Sequence, residues 1–183
     1  IMGRKEKIVD QQSKGLRFLM KKNKIDEYHG HGRLKDAHTV EIEEPSGKKK
    51  AITTQFVLLA TGSRVRVLPF AKPNHKNILT SDSILFIDKI PKSLVIIGGG
   101  IVGMEFASLF GRFGSEVNVI ELGQQILPTE DGEVVKDFKR AIKKQNVKLH
   151  EDTKFTAIHD NGGSVTVELE GKNSIEAEIV LLS

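Results

Sequence analysis

The feature that most restricts the fold of this chain is the run Leu94-Val95-Ile96-Ile97-Gly98-Gly99-Gly100-Ile101-Val102-Gly103. Consecutive large apolar residues suit a strand covered on both faces, as in a parallel sheet. The glycines directly after them mark an abrupt turn. From Ile101 to Phe113 apolar residues return with helical spacing, and Glu105, Ser108 and Arg112 form the one polar stripe. So nearly apolar a circumference predicts a helix buried between a sheet and another layer. Val117-Asn118-Val119-Ile120-Glu121 then reads as a second strand, which makes residues 94–121 a β-α-β unit.

Inside that unit Gly98, Gly100 and Gly103 stand in GxGxxG spacing. Glycines serve any tight turn, so the motif means little by itself. Here it lies between a buried strand and a helix, with the acidic Glu121 roughly 20 positions on, which is the full context of a dinucleotide fingerprint. Gly98 would permit the turn, Gly100 would let the backbone approach a pyrophosphate, and Gly103 would let the helix pack closely on the strand. The phosphates would lie at the helix N-terminus, where free N–H groups and the helix dipole favour negative charge. A carboxylate at 121 suits a ribose hydroxyl and repels a 2′-phosphate. No Arg lies between Ile120 and Glu130 to receive such a phosphate, so NAD is expected rather than NADP.

Around this unit, residues 4–22 read as a helix, with Ile8, Val9, Leu16, Leu19 and Met20 roughly on one side. Segments 25–34, 38–43 and 49–54 read as short strands broken by Gly30, Gly32 and a Pro45-Ser46-Gly47 turn. Residues 55–60, Gln-Phe-Val-Leu-Leu-Ala, predict a strand buried on both faces and ended by Thr61-Gly62-Ser63. Residues 64–79 predict a loop. A short helix is expected next, with Ser81 or Asp82 as its cap and Ile84, Leu85 and Ile87 inward, closed by Pro91. An amphipathic helix is expected over 131–145, with Val135, Phe138 and Ile142 inward. Strands follow at 147–150, 154–159, 164–169 and 174–177, and an apolar strand at 179–183.

The two ends share this order of elements: residues 4–60 and 131–183 each run helix, strand, short meander, buried strand. The second copy is preceded by the strand–glycine–helix–strand of 94–121, so for the first a matching strand–glycine–helix unit is expected either to have been lost or to lie upstream of residue 1.

Composition narrows the chemistry. The 183 residues contain no cysteine, so no disulfide, thiolate metal site or cysteine nucleophile can form from this chain. A reducing, cytoplasmic setting is expected, or a mitochondrial matrix in a eukaryote. Apolar runs fall far short of the roughly 20 residues that cross a bilayer. The net charge of +4 comes from scattered groups such as Lys48–Lys50 and the set Lys139, Arg140, Lys143 and Lys144, with one Tyr and no Trp. That reads as solvated surface, and no nucleic-acid or membrane partner is expected. His29 and His31 would share one face of a strand, without a third ligand at metal-binding spacing.

The segments Val95-Ile-Ile-Gly-Gly-Gly-Ile-Val-Gly-Met-Glu-Phe-Ala107, Gly114-Ser-Glu-Val-Asn-Val-Ile-Glu121 and Ile126-Leu-Pro128 with Asp131 resemble the NAD-binding domain of the flavoprotein pyridine nucleotide-disulfide oxidoreductases. The dihydrolipoamide dehydrogenase branch is the most similar. Phe18 to Ile25, Gly30-His-Gly32, Val57 to Ser63 and Leu68-Pro69 resemble the later half of that family's FAD-binding domain. The resemblance implies an α/β, Rossmann-like three-layer NAD-binding domain with a β-meander over residues 71–183, its last motif truncated. It implies the C-terminal half of a similar FAD-binding domain over residues 1–70.

For the site, the resemblance implies that Gly98, Gly99, Gly100, Ile101, Val102 and Gly103 cradle the NAD pyrophosphate and that Glu121 holds the adenine ribose. Ile101 and Glu105 would border the nicotinamide and Phe155 would lie on the adenine side. Gly32, Thr61, Gly62 and Ser63 would touch FAD. In the whole protein it implies oxidation of dihydrolipoamide, borne on a partner protein, with reduction of NAD, by a homodimer. The family's cysteine pair and its His-Glu pair are both absent here. The expectation is therefore a chain that begins after the first and ends before the second, with no catalytic residue of its own. NADH oxidase and mercuric reductase types, and an NAD-binding protein without catalysis, remain open alternatives.

Overall fold

A computed structural model describes residues 2–65, 67–69, 71–171 and 173–183. The chain falls into two compact units, residues 1–63 and 64–183. The boundary expected at residue 70 falls on a residue outside those described.

The first unit holds a long helix, α1 (Met2–Lys22), and a three-stranded antiparallel meander of β1 (His31–Leu34), β2 (Thr39–Glu43) and β3 (Lys49–Thr53). The helix expected over residues 4–22 is present, and two other expectations are corrected here. Residues 25–30 form no strand, so His29 does not share a strand face with His31; its imidazole meets Glu27 at 2.9 Å instead. The helix leaves Ile8, Val9, Leu16 and Leu19 half exposed or more. Residues 55–60 carry no regular secondary structure and belong to no sheet, and Phe56 and Leu58 are 86% and 90% exposed. A strand is buried on both faces only when neighbours flank it, and no described strand of the first unit pairs with this segment.

The second unit is built on a parallel sheet. β4 (Ile78–Thr80), β5 (Ser93–Ile97), β6 (Glu116–Ile120), β7 (Val147–His150) and the last strand of the chain, β11 (Ile179–Leu182), align in the order β4-β11-β5-β6-β7. Helices α2 (Ile101–Arg112) and α3 (Gly132–Ile142) connect strands on one face. On the other, β8 (Phe155–Asp160), β9 (Val165–Leu169) and β10 (Ile175–Ala177) form an antiparallel meander. The alternation of β5 shows why its residues are uniformly apolar. Leu94 and Ile96 pack with Met104, Ala107, Phe110, Val135 and Ile142 on the helical side. Val95 and Ile97 pack with Val165, Val167, Leu169 and Ala177 on the meander side. The three-layer α/β architecture expected from the sequence is present.

Local signals set the ends of these elements. α2 stops at Gly114, whose φ of 92° an L-residue rarely adopts. Its N–H bonds the carbonyl of Gly111 and that of Ser115 bonds Phe110, the paired bonds of a Schellman motif. Asp131 caps α3, its Oδ1 accepting from Glu133 N at 2.9 Å and Val134 N at 3.3 Å.

Two helical expectations change. The segment after β4 is a single 3₁₀ turn, Ser83–Phe86, with Ile84 buried but Leu85 47% exposed. No side chain caps that turn; Ser83 Oγ instead accepts from Thr80 N at 2.8 Å. α2 is buried on one face only, with Ile101, Val102 and Leu109 at 57%, 45% and 43% exposure. Its apolar circumference does not therefore correspond to burial on most sides within this unit.

A polar knot joins the loop before β4 to the meander. Asn74 Oδ1 accepts from the N–H groups of Lys76, Asn77 and Ile78. Asn74 and Asn77 donate to Asp160 at 2.9 and 2.7 Å, and Gly162 N donates to the same carboxylate at 2.9 Å. These donors, Asn77 foremost, hold the Asp160 carboxyl below its ordinary value of 3.8. A carboxylate with a depressed folded-state pKa stabilises the fold above its unfolded value and loses that contribution as pH falls through the lower, folded value. NMR titration should place the Asp160 midpoint below 3.8. Acid unfolding of Asp160→Asn should lose part of the pH dependence below that point.

Candidate functional site

The candidate site forms where the carboxyl ends of β5, β6 and β11 meet the start of α2. Gly98 sits between the ends of two neighbouring strands: its N–H bonds Ile120 O at 2.9 Å, while Ser183 N bonds Ile97 O at 2.9 Å. β5 leads through α2 to β6 on one side and is flanked by β11 on the other, so the loop lies at the switch point of strand order, where open α/β sheets bind ligands.

Each glycine of the loop has a separate physical reason. Gly98 has φ 112°, and a Cβ there would lie 2.4 Å from Ser183 O. At Gly103 a Cβ would lie 2.1 Å from Gly98 O, so the helix approaches the strand end as closely as backbone allows. At Gly99 a Cβ would meet the Ile126 side chain at 2.7 Å. Gly100 differs from all three. Its φ of −71° and ψ of −176° suit any residue, and nothing lies within 4 Å of a Cβ placed there. It is exposed, and it faces the N-terminus of α2, which no side chain caps. The first intrahelical bond runs from Met104 N to Gly100 O at 3.0 Å. A helix leaves its leading N–H groups without intrahelical partners, and these suit an anion. The uncapped, exposed start of α2 beside Gly100 could hold an anionic group such as a pyrophosphate.

Glu121 is placed against the loop. Its Oε2 accepts from Gly99 N and its Oε1 from Gly123 N, both at 2.6 Å. The loop thus already holds an internal carboxylate by short, charge-assisted hydrogen bonds. A carboxylate offers about four lone-pair sites, so two remain for further donors such as ribose hydroxyls.

The other expected residues are distributed as follows. Ile101, Val102 and Glu105 project from the first turns of α2 and are exposed. Ile101 and Glu105, with Met104, Ser108, Leu109 and Arg112, line an open groove of about 580 Å³ closed by Leu127 and Phe138. Phe155 opens β8 and is half buried against the meander-side core. Gly32, Thr61, Gly62 and Ser63 belong to the first unit: Gly32 pairs with Ile42 in the meander and Gly62 takes φ 72° in an exposed loop. Among the described residues, no group of three or more His, Asp or Glu side chains could hold a metal.

Sequence reasoning gave no role to the segment behind the loop. Leu127 N donates to Gly99 O at 2.8 Å, and Ile126 is fully buried. Ile126 N donates to Glu151 Oε1 at 2.7 Å, and the same oxygen meets Lys139 Nζ at 2.7 Å. Lys139, read as solvated surface, is only 25% exposed. The signal was the apolar pair Ile126-Leu127 between Gln125 and Pro128, which does not name what it is buried against.

This strand–glycine–helix geometry defines a Rossmann-type domain of the doubly wound α/β class. Residues 2–183 match the model of the pyridine nucleotide-disulphide oxidoreductases, and the chain belongs to that family. It is 36% identical over 188 aligned positions to the mitochondrial dihydrolipoyl dehydrogenase of Pisum sativum, covering 100% of this chain and 38% of that protein. It is 35% identical to the leghemoglobin reductase of Glycine max, covering 100% of this chain and 36% of that one. Among solved structures, LpdA from Mycobacterium tuberculosis matches with TM-score 0.91 at 23% identity, over 100% of this chain and 41% of that one, and so shares the fold. The chain spans less than two fifths of the length of these two curated relatives.

Two substitutions separate folding from binding in the loop. Gly103→Ala should destabilise the second unit by about 1–3 kcal/mol or more, because backbone must move to admit the methyl group. Gly100→Ala should leave stability unchanged or raise it by up to about 1 kcal/mol. Denaturant melts of both variants check the contrast, which fails if Gly100→Ala proves as destabilising as Gly103→Ala.

Proposed function

We propose that residues 64–183 bind NAD at the Gly98–Gly103 loop and that residues 1–63 form part of an FAD-binding domain. The whole protein is then a dihydrolipoamide dehydrogenase. The observation that carries the NAD reading is Gly100, whose lack of a side chain neither backbone conformation nor packing requires. Gly98, Ile101, Val102 and Gly103 bind the pyrophosphate through backbone and the end of α2. Glu121 holds the loop and offers its remaining lone pairs to the adenine ribose. Ile101 and Glu105 border the nicotinamide, Phe155 supports the adenine side, and Gly32 and Thr61-Gly62-Ser63 approach FAD.

When bound, NAD supplies the hydride acceptor and FAD the electron relay. The chain's own residues orient these groups. Its lack of cysteine means that a thiol pair reacting with dihydrolipoamide comes from outside these 183 residues. The lipoamide branch is favoured by the dihydrolipoyl dehydrogenase relative at 36% identity. A leghemoglobin reductase at 35% shows that another acceptor is named at nearly equal similarity. The test for the whole protein is NADH production from dihydrolipoamide and NAD, with disulfide or dioxygen reduction as the competing outcome.

Fluorescence titration of the chain with NADH should saturate below about 1 mM, and NADPH should bind at least about tenfold more weakly. Gly100→Ala should raise the NADH dissociation constant without lowering the stability of the chain. Glu121→Ala should weaken binding by about 1–3 kcal/mol, the range for a hydrogen bond to a charged group. Absence of saturable binding by the wild-type chain removes the NAD assignment.

A further inference from the structure

We infer that Glu151, held by Lys139, is a positioning residue that keeps the glycine loop in its ligand-ready shape through residues 126 and 127. This deepens the NAD reading and rests on it. Segment 122–128 has no regular secondary structure, yet it forms the wall behind the loop. Gly99 is gripped on both sides: its N–H by Glu121 Oε2 and its carbonyl by Leu127 N at 2.8 Å. Its Cα faces Ile126, whose Cγ2 would lie 2.7 Å from any Cβ at that position.

The grip is not self-sustaining. Leu127 has φ 49°, a left-handed conformation disfavoured for a branched L-residue, so its surroundings must impose it. The side-chain anchor next to it is Glu151, whose Oε1 takes Ile126 N and Lys139 Nζ, each at 2.7 Å. Both ionic partners are about a quarter exposed, so the pair is shielded from most solvent competition. Lys139 is on α3 and Glu151 directly follows β7, two regular elements. The irregular wall is thus tied to the rigid frame next to Leu127 through that carboxylate oxygen, in addition to the bond from Asp152 N to Gly123 O at 2.9 Å and the burial of Ile126 in the core. Without that anchor Leu127 can relax to negative φ, withdraw its N–H from Gly99 and free the loop. Glu121 holds the opposite side of Gly99, and the two glutamates act from different strands.

The test uses the 183-residue chain, with Glu151→Ala, Glu151→Gln and Lys139→Met. Amide hydrogen exchange without ligand is the first readout. Glu151→Ala should accelerate exchange at Gly99 and Leu127 by about tenfold while Val95 and Ile96 stay protected, the pattern of local opening. Glu151→Gln, which keeps an acceptor for Ile126 N, should restore most of the protection, and Lys139→Met should be intermediate. NADH titration is the second readout, with an expected rise in dissociation constant of about 3- to 10-fold for Glu151→Ala. Equal acceleration across Val95 and Ile96 would mean a merely structural role and overturn the inference. So would unchanged exchange at Gly99 and Leu127, or loosened amides with unaltered NADH affinity. If the wild-type chain binds no NADH, the NAD reading fails, while the exchange data still decide whether Glu151 positions the loop.

Discussion

The second unit depends on the absence of two side chains. With hydrogen alone at positions 98 and 103, the first turn of α2 rests directly on the end of β5. A Cβ on Gly103 would stand 2.1 Å from the Gly98 carbonyl oxygen, and one on Gly98 would stand 2.4 Å from that of Ser183. This close approach sets the angle at which the chain turns from strand to helix. It thereby fixes where the helix N-terminus points and lets Met104, Ala107 and Phe110 meet Leu94 and Ile96. Glu121 then reaches the loop because β6 lies in register beside β5, with Ile120 opposite Ile97. Binding geometry and core packing are one consequence of one constraint.

What was legible in the sequence follows from the range of the forces involved. Leu94-Val95-Ile96-Ile97 and the glycines after it are local signals, since strand burial, turn and close approach are all written within ten residues. Gly98 and Gly103 serve the turning and packing roles their spacing implied. Asp131 as the cap of α3 and Val135 and Ile142 as its buried face are equally local. The misread elements depend on neighbours far along the chain. Phe56-Val57-Leu58-Leu59 has the apolar pattern of β11 but lacks flanking strands, and pattern cannot supply a partner. The apolar breadth of α2 states what the helix could bury, whereas Ile101, Val102 and Leu109 remain exposed in this unit. Glu151 was invisible because one carboxylate on a strand end looks like any solvated acid. Only the fold brings it to Ile126 N and Lys139.

The two halves of the chain make this contrast concrete. Each contains a helix and a three-stranded antiparallel meander followed by an apolar segment. In the second half that segment, β11, lies between β4 and β5 and is almost wholly buried. In the first half the corresponding residues make no sheet. Equal local patterns therefore end in different states, and the difference is the presence or absence of parallel neighbours.

The exposed run from Phe56 to Leu59 has a further consequence for handling this chain. Backbone that lies outside any sheet and carries large apolar side chains is a template for other chains, and a second copy carries the same sequence to add to it. Phe56, Leu58 and Leu59 are 86%, 90% and 67% exposed, and no lysine, glutamate or proline interrupts residues 55–60. Self-association should therefore begin in this segment, with concentration-dependent precipitation as its sign. A charge placed at Leu58 would raise solubility.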